Sequence, residues 1–268
     1  MNKNFIVHPL YSSSSGNMTH IACSNTNILI DIGVSYKAIK EGLASINLTL
    51  DDIDAILITH EHIDHIKGLP LLCRKNNIPI FTCRKTAEYI KSELESKNIQ
   101  CNNIFSIEYN QPFIIKDIQI SAFETSHDAI MPCGYKLRNT SSCITFATDL
   151  GYISNDVFNN LDCSNYTILE SNYDETMIDF GKYPYPIKQR IKSNIGHLSN
   201  DVCGQTIARL AQNGHNRFLL AHLSENNNTQ EIAKQTIESI LEENSIDISK
   251  IEINFASKSL SNEEYIIC

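Results

Sequence analysis

Short apolar runs alternate with amphipathic stretches in the first part of the chain, and this pattern predicts strands interleaved with helices. The predicted strands are Phe5–Val7, His20–Cys23, Ile28–Ile32 and Ala55–Thr59. Serine, glycine and asparagine residues between the first three strands favour tight turns. The predicted helices are Tyr36–Ser45, a helix within His60–Lys75, and Lys85–Lys97.

A second β-rich region follows, and helices come after it again. Its predicted strands are Phe113–Ile115, Ile118–Phe123, Gly134–Leu137, Cys143–Ala147, Thr167–Glu170 and Arg217–Ala221. The later predicted helices are Asp201–Gln212 and Thr229–Glu243. No internal repeat and no linker rich in Pro, Gly or Ser divides the chain. We therefore expect an α/β fold, a four-layer αββα sandwich, formed by residues 1–268 as a single domain.

Composition places the chain among ordinary globular proteins, since 42% of the residues are hydrophobic and 20% are charged. No apolar run approaches the roughly 18 to 20 residues of a membrane-spanning helix, and the apolar patch near the start is too short for a secretion signal. The nine cysteines include no C-x-x-C pair, which argues against a zinc knuckle and is typical of a reducing compartment. We expect a cytoplasmic protein with no membrane partner.

Three histidines and an aspartate lie within six residues directly after the predicted strand Ala55–Thr59: His60, His62, Asp64 and His65. At a corner between a strand and a helix, the first two histidines point to one side, and the other two residues turn in from the helix start. This arrangement offers two adjacent half-sites for metal ions. Imidazole and carboxylate ligands suit zinc, iron or manganese, and the lack of a cysteine in the motif disfavours a thiolate site.

The motif resembles the metal-binding signature of the metallo-β-lactamase superfamily, and further superfamily elements follow in the expected order. Asp31 ends a strand where the superfamily has an acidic residue near its site, and His127 matches the third histidine of the signature. Asp149 and His222 each follow a strand, where the superfamily places its bridging aspartate and its last histidine. The resemblance extends from Ser12 to about Asn228. It implies the metallo-β-lactamase four-layer sandwich.

The resemblance also implies a centre with two divalent metal ions. It assigns to the first ion the ligands His60, His62 and His127, and to the second ion Asp64, His65 and His222. Asp149 would be a ligand of both ions. Zn²⁺ is favoured, with Mn²⁺ or Fe²⁺ as alternatives. A hydroxide that bridges the ions would be the nucleophile, and Asp64 would also take part in catalysis. Relatives that hydrolyse β-lactams often have a cysteine near the bridging aspartate, and its absence disfavours that activity.

A more specific resemblance is to the YycJ (WalJ) branch of the superfamily, whose members are single-domain proteins related to nucleases of this fold. It is carried by the opening loop, by the residues around the third histidine and by four later strings: Ser13–Asn17, Ser126–Tyr135, Glu170–Asn172, Gly181–Pro184, Gly196–Asn200 and His222–Asn227. The chain departs from that branch at Tyr173, where a histidine is common, and at Ser13, where a glycine is usual.

Residues outside the ligand set are candidates for roles beside it. His197 either protonates the leaving oxygen of a scissile phosphate or only packs in a loop that caps the next helix, and the resemblance favours the first role. Asp31 is expected near the ligands. Ser15 and Asn17 either line the site or form only a turn.

The stretch from Phe180 to Asn200 contains four basic residues and no Asp or Glu, in a chain whose formal net charge is −9. This overall charge gives no global attraction for nucleic acid, so a polyanionic substrate needs a local patch or metal ions. A helix that begins at about Pro186 would place Lys188 and Lys192 on one side, with Arg190 beside them. These three residues either contact a phosphate backbone or form a solvated helix face.

These observations favour a dinuclear metal-dependent phosphodiesterase that acts on DNA, similar to a 5′–3′ exonuclease. The alternative enzyme is a hydrolase of small thioesters or lactones at the same metal centre. A binding module with an inactive site ranks last, because every implied ligand position is filled. The metal, the choice between DNA and RNA, the strand polarity and the oligomeric state stay open.

Overall fold

The computed structural model describes residues 4–267, and its strands form two seven-stranded mixed sheets. The strands are β1 (Phe5–Ser13), β2 (Gly16–Cys23), β3 (Thr26–Ile30), β4 (Ala55–Leu57), β5 (Ile80–Cys83), β6 (Ile104–Ile107), β7 (Phe113–Ile115), β8 (Ile118–Glu124), β9 (Cys133–Arg138), β10 (Cys143–Ala147), β11 (Tyr166–Glu170), β12 (Arg217–Ala221), β13 (Glu252–Phe255) and β14 (Tyr265–Ile267). The first sheet has the order β14-β1-β2-β3-β4-β5-β6 and the second the order β13-β12-β11-β10-β9-β8-β7.

Most of the helices pack on the outer faces of the two sheets. They are α1 (Tyr36–Ser45), α2 (Ile63–Ile66), α3 (Leu69–Lys75), α4 (Arg84–Ser96), α5 (Asn155–Leu161), α6 (Glu175–Phe180), α7 (Tyr185–Ile191), α8 (Asn200–Gln212) and α9 (Gln230–Glu243), with short 3₁₀ helices at Leu50–Asp52 and Ile248–Lys250. None of these helices, within residues 4–267, has the length and apolar character needed to cross a bilayer.

Three apolar cores separate the four layers. The core between the sheets contains Phe5 from the first sheet and Tyr135 and Tyr166 from the second. A second core joins the first sheet to α1, α3 and α4, and a third joins the second sheet to α5, α8 and α9. This arrangement confirms the predicted four-layer αββα sandwich.

Both sheets change from antiparallel to parallel pairing part-way across. In the first sheet the parallel strands are β3 to β6, and in the second they are β10 to β13. Ligands of α/β proteins bind outside the carboxyl ends of parallel strands, where loops from neighbouring strands meet. The loops after β3, β4, β10 and β12 carry Asp31, His60, Asp149 and His222 of the predicted site, and His127 follows the antiparallel strand β8.

The helix predicted within His60–Lys75 is divided in two at Gly68. Its backbone N–H donates to the Ile32 carbonyl at 2.9 Å. A Cβ at this position would lie 2.4 Å from Ile39 Cδ1 and 2.7 Å from the Val34 carbonyl oxygen. Pro70 then stands in the first turn of α3, where a missing N–H has no consequence. The loop after β3 therefore holds the short helix α2 separately from α3.

Gly33 brings the same loop against α2. Its N–H donates to the Asn17 carbonyl at 2.8 Å, and the neighbouring Ile32 N–H donates to the His65 carbonyl at 2.9 Å. A Cβ on Gly33 would lie 1.5 Å from the carbonyl oxygen of Asp64. Only glycine allows this approach, and the approach fixes the backbone of Asp64 and His65.

We expect Gly33→Ala to destabilise the protein by more than about 2 kcal/mol, because its methyl group meets backbone that cannot move without displacing α2. The matched control is Gly42→Ala in α1, where the nearest atom is Met18 Cε, the end of a flexible side chain, at 2.7 Å. Urea unfolding measures both variants. Equal midpoints for the two would show that the approach of Gly33 to Asp64 is not required.

Candidate metal centre

Loops and strand ends from both sheets bring histidine and carboxylate side chains together at one edge of the sandwich. Asp31 follows β3, and His60 follows β4 in the first sheet. In the second sheet Asp149 follows β10, Glu170 is the last residue of β11, and His222 follows β12. All five are at most 2% exposed. Such burial of ionisable groups requires partners for each of them.

The backbone is left-handed at three of these strand ends. The φ angles are 59° at Asp31, 56° at Asp149 and 58° at His222. For residues other than glycine this conformation costs of order 1–3 kcal/mol and persists only where the surroundings enforce it. Strain of this kind is concentrated at functional sites. Its presence at three strand ends of one edge marks that edge as such a site.

The side chains form two groups of three that match the predicted half-sites. One group is His60, His62 and His127, and the other is Asp64, His65 and His222. In each group, one donor atom from every residue lies within 4.8 Å of the others. Asp149 forms a further group of this kind with His60 and His65, so its carboxylate reaches residues of both half-sites.

Two of the histidines are oriented by buried carboxylates. The Nδ1 atom of His65 donates to Asp31 Oδ2 at 2.8 Å, and Nδ1 of His222 donates to Glu170 Oε1 at 2.7 Å. The Asp31 carboxylate also accepts from the Thr59 backbone N–H at 2.9 Å. Both rings therefore direct Nε2 into the cluster, as in the carboxylate–histidine–metal arrangement of known metal sites.

The other three histidines are held through oxygen atoms of loops. His127 Nδ1 donates to the Gly196 carbonyl at 3.0 Å, and His62 Nε2 donates to the Asp128 carbonyl at 3.2 Å. His60 Nδ1 lies 3.0 Å from the Thr59 hydroxyl. In all five rings one nitrogen is thus held by an oxygen atom of the protein, and the other nitrogen points into the cluster, where His62 Nδ1 and His127 Nε2 lie 3.3 Å apart.

Three of the remaining donor atoms have no hydrogen-bond partner within residues 4–267. They are His60 Nε2, His222 Nε2 and Asp149 Oδ2, and all are buried. A buried polar atom without a partner is destabilising unless something binds it. Imidazole nitrogens and carboxylate oxygens are suitable ligands for divalent transition metals. The residues therefore fit a metal centre, and the His/Asp cluster is suited to a dinuclear one.

The electrostatics of the cluster follow from burial and from the alternation of rings with carboxylates. Burial is the main cause that lowers the pKa of His60 well below its usual value, and repulsion by the neighbouring histidines lowers it further. Burial also acts to lower the pKa of His222, but Asp149, Asp64 and Glu170 outweigh it and raise that pKa to about 10. Bound cations would replace the protons that these carboxylates now attract.

Comparison with known proteins agrees with this geometry. The model of a family described as "Beta-lactamase superfamily domain" matches residues 26–223. The chain belongs to the metallo-β-lactamase superfamily. It is 35% identical over 234 residues to a protein named exodeoxyribonuclease YycJ from Bacillus anthracis, a match that covers 87% of this chain and 88% of that protein. It is also 34% identical to a protein named exodeoxyribonuclease WalJ from Streptococcus pneumoniae serotype 2, over 85% of each.

Solved structures of the superfamily share the fold. YhfI from Bacillus subtilis, described as a metallo-beta-lactamase fold protein, superposes with a TM-score of 0.72 at 15% identity and covers 99% of this chain and 100% of its own. PqqB from Methylobacterium extorquens, described as Zn²⁺-bound, superposes with a TM-score of 0.71 at 13% identity, over 97% and 99% of the two chains. The family match and the two relatives at 34–35% identity confirm the resemblance to the superfamily and to its YycJ (WalJ) branch, and these structures confirm the fold.

Glu170 is a functional candidate that the sequence pattern alone did not identify. Its Oε1 accepts from His222 Nδ1 and, at 2.8 Å, from His197 Nδ1, and its Oε2 accepts from the N–H groups of Leu150 and Leu198, each at 3.1 Å. Burial acts to raise the pKa of Glu170, but His197 and His222 outweigh it, so that pKa lies below its usual range. The available signal was an acidic residue at the end of an apolar strand, as at Asp31.

The opening loop braces the site. Asn17 Nδ2 lies 3.2 Å from His65 Nε2 and 3.4 Å from Asp64 Oδ2. Ser15 is exposed and donates to Glu225 in the loop after His222. Asn17 therefore touches the metal-ligand cluster directly, whereas Ser15 connects two loops that surround it.

The basic stretch lacks acidic residues only along the sequence, because other elements supply them. Arg190 pairs with Asp128, and its Nη2 lies 3.0 Å from Asp128 Oδ1. Lys192 Nζ lies 2.8 Å from a carboxylate oxygen of Glu175 and 2.9 Å from one of Asp179, both in α6. These cations can contact phosphate only if their ion pairs open.

Lys188, in the same stretch, contacts a backbone carbonyl and not a carboxylate among residues 4–267. Lys188 Nζ donates to the Asp179 carbonyl at 2.8 Å. The contact of Lys188, Arg190 and Lys192 with a substrate stays a prediction.

Tyr173, at the position where the branch commonly has a histidine, is 4% exposed, and its carbonyl accepts from the Asn200 N–H at 2.9 Å.

We expect Glu170→Gln to weaken the binding of the metal ion nearest His222 by about ten- to a hundredfold, because an amide cannot orient that ring as the carboxylate does. Isothermal titration of the metal-depleted protein with Zn²⁺ measures the change. The control is Glu252→Gln, since Glu252 pairs with Arg217 on β12 at 2.8 Å, outside the metal-ligand cluster. Unchanged affinity in Glu170→Gln would remove Glu170 from the support of the site.

Proposed function

We propose that the chain is an exodeoxyribonuclease that hydrolyses phosphodiester bonds at a DNA end with two divalent metal ions. One observation carries the proposal: two groups of three donors lie beside Asp149, whose carboxylate reaches His60 of one group and His65 of the other, in a chain that matches the named exodeoxyribonucleases over more than four-fifths of both lengths. Degradation from the 5′ end is the polarity that we propose.

The proposed ligands are those of the two half-sites. One ion would be held by His60, His62 and His127, and the other by Asp64, His65 and His222. Asp149 would contact both ions. We favour Zn²⁺, because imidazole nitrogens outnumber carboxylate oxygens in the set, with Mn²⁺ or Fe²⁺ as alternatives. When bound, two such ions would neutralise phosphate charge and make a water molecule acidic enough to attack.

His197 is the proposed acid for the leaving oxygen. Glu170 Oε1 accepts from its Nδ1 at 2.8 Å, which leaves Nε2 as the nitrogen that faces a substrate. The ring is half-buried beside His127 and His222, at centroid distances of 5.1 and 5.3 Å. A proton on Nε2 would pass to the oxygen released by phosphodiester cleavage, and the Glu170 carboxylate would stabilise the charged ring before that transfer.

Asp64 is the proposed residue that orients the attacking water. Its Oδ2 lies 3.4 Å from His65 Nε2 and 3.8 Å from His222 Nε2, and the Asn17 amide nitrogen lies 3.4 Å from the same oxygen. The carboxylate is partly exposed, unlike Asp149. It can therefore reach both an ion and a water molecule that enters from solvent.

We expect His197→Ala to lower kcat on DNA by about 10²- to 10⁴-fold with little change in KM or in metal content, because it removes only the proton donor. Oligonucleotides labelled at the 5′ or the 3′ end, single- or double-stranded, measure the rate and show whether the 5′ nucleotide is released first. The control is His215→Ala, since His215 contacts Ser164 and Asp162 away from the cluster.

Three results would each contradict part of the proposal. Metal-loaded protein that is inactive on DNA but hydrolyses a thioester or a lactone would assign the centre to small substrates. Faster degradation of RNA than of DNA would retain the nuclease and replace its substrate. Full activity of His197→Ala on DNA would show that another group protonates the leaving oxygen.

A further inference from the structure

The segment that joins α6 to α7 carries large apolar side chains that the described part of the chain leaves uncovered. Phe180 is 88% exposed and Tyr185 is 72% exposed. Helix α7 contains no buried residue, and Ile187 on it is also exposed. Large apolar groups that are exposed together mark an interaction surface.

This segment is nevertheless fixed to the loop that follows His222. The Tyr183 hydroxyl accepts from Asn226 Nδ2 at 2.9 Å, and the Asp174 N–H, at the start of α6, donates to the Asn227 carbonyl at 2.9 Å. A Cβ on Gly181 would lie 2.7 Å from Asn227 Oδ1, so the chain passes directly over that loop. Phe180 and Tyr185 therefore stand on a support that is continuous with the metal centre.

The far end of the segment is tied to the loops of two further site histidines. The His197 N–H donates to the Ile191 carbonyl, at the end of α7, at 2.9 Å. Arg190 pairs with Asp128, whose carbonyl accepts from His62 and which directly follows His127. The ion pairs of the basic stretch thus brace the segment against the site.

The cation that lies between the two aromatic residues in the sequence has no ion pair among residues 4–267. Lys182 is exposed and lies two residues after Phe180 and three before Tyr185. Exposed aromatic rings combined with an unpaired cation are the usual means by which proteins hold single-stranded nucleic acid. An interface with another protein would need roughly 800 Å² on each side, with an apolar core, which two rings and a neighbouring isoleucine do not supply.

We propose that Phe180 and Tyr185 form a stacking platform for the nucleobases of a single-stranded DNA end. Lys182 contacts the phosphate between the stacked bases. The platform positions the terminal phosphodiester at the metal centre, and in this respect it rests on the proposed nuclease function. Phe180 and Tyr185 are positioning residues, because they act on the bases and not on the reacting phosphate.

The test is the affinity for two fluorescent oligonucleotides with the same number of phosphates, oligo(dT) and an abasic strand. Anisotropy is measured with metal-loaded protein that carries His197→Ala, so that the strands are not degraded. Adding Phe180→Ala and Tyr185→Ala should weaken oligo(dT) binding by about ten- to a hundredfold, and abasic binding by much less. The control is Ile114→Ala, which removes another side chain that is 70% exposed, on the edge strand β7.

Salt dependence separates stacking from phosphate contact. The two ring substitutions should leave the slope of log Kd against log salt unchanged, whereas Lys182→Ala should lower it by about 0.7. The conservative pair Phe180→Tyr and Tyr185→Phe keeps both rings and should bind oligo(dT) as tightly as the parent protein. Its failure to do so would show that a structural change, and not lost stacking, weakens the alanine variant.

Three results would overturn the platform. One is a double alanine variant that binds oligo(dT) as tightly as its parent, and another is a parent that binds the abasic strand as tightly as oligo(dT). A shift from dimer to monomer in the double alanine variant, with DNA binding unchanged, would assign the surface to contact between two copies of the chain. If the wild-type protein binds oligo(dT) through the rings but releases no nucleotide, the nuclease proposal fails and the platform stands.

Discussion

One nitrogen of each imidazole in the candidate metal centre is fixed by a protein oxygen atom, and this constraint determines which atoms remain for metal ions. The strongest cases are His65 on Asp31 and His222 on Glu170, where buried carboxylates accept from Nδ1. Those carboxylates are tolerated in the interior because backbone N–H groups also donate to them. The ring orientations therefore depend on the strand ends beneath them.

The two halves of the sandwich contribute to the centre in similar ways. Each sheet provides one carboxylate–histidine pair at the ends of its parallel strands, Asp31 with His65 in the first half and Glu170 with His222 in the second. Asp149 follows β10 in the second sheet and reaches His65 of the first half at 3.4 Å. Binding of metal ions would thus link the two halves, and any change in how the sheets pack would alter the ligand geometry.

The sequence predicted what local patterns can carry. Helix α1 has the predicted bounds, and α4, α8 and α9 agree within one residue, because long amphipathic periods are unambiguous. Strand β14 was not predicted, because it is only three residues long and forms by pairing with β1 at the other end of the chain. Contacts between distant elements supply what local patterns do not: Glu170 is identified by its burial against His197 and His222, and Arg190 and Lys192 form ion pairs with acidic residues outside their own stretch.

The central claim is that Asp149 is shared by two metal ions at this edge of the sandwich. Anomalous diffraction from crystals of the metal-loaded protein, recorded at the absorption edge of the bound metal, tests it most directly. The account predicts two peaks, one among His60, His62 and His127 and one among Asp64, His65 and His222, with Asp149 in contact with both. A single peak, or two peaks of which Asp149 touches at most one, would contradict it.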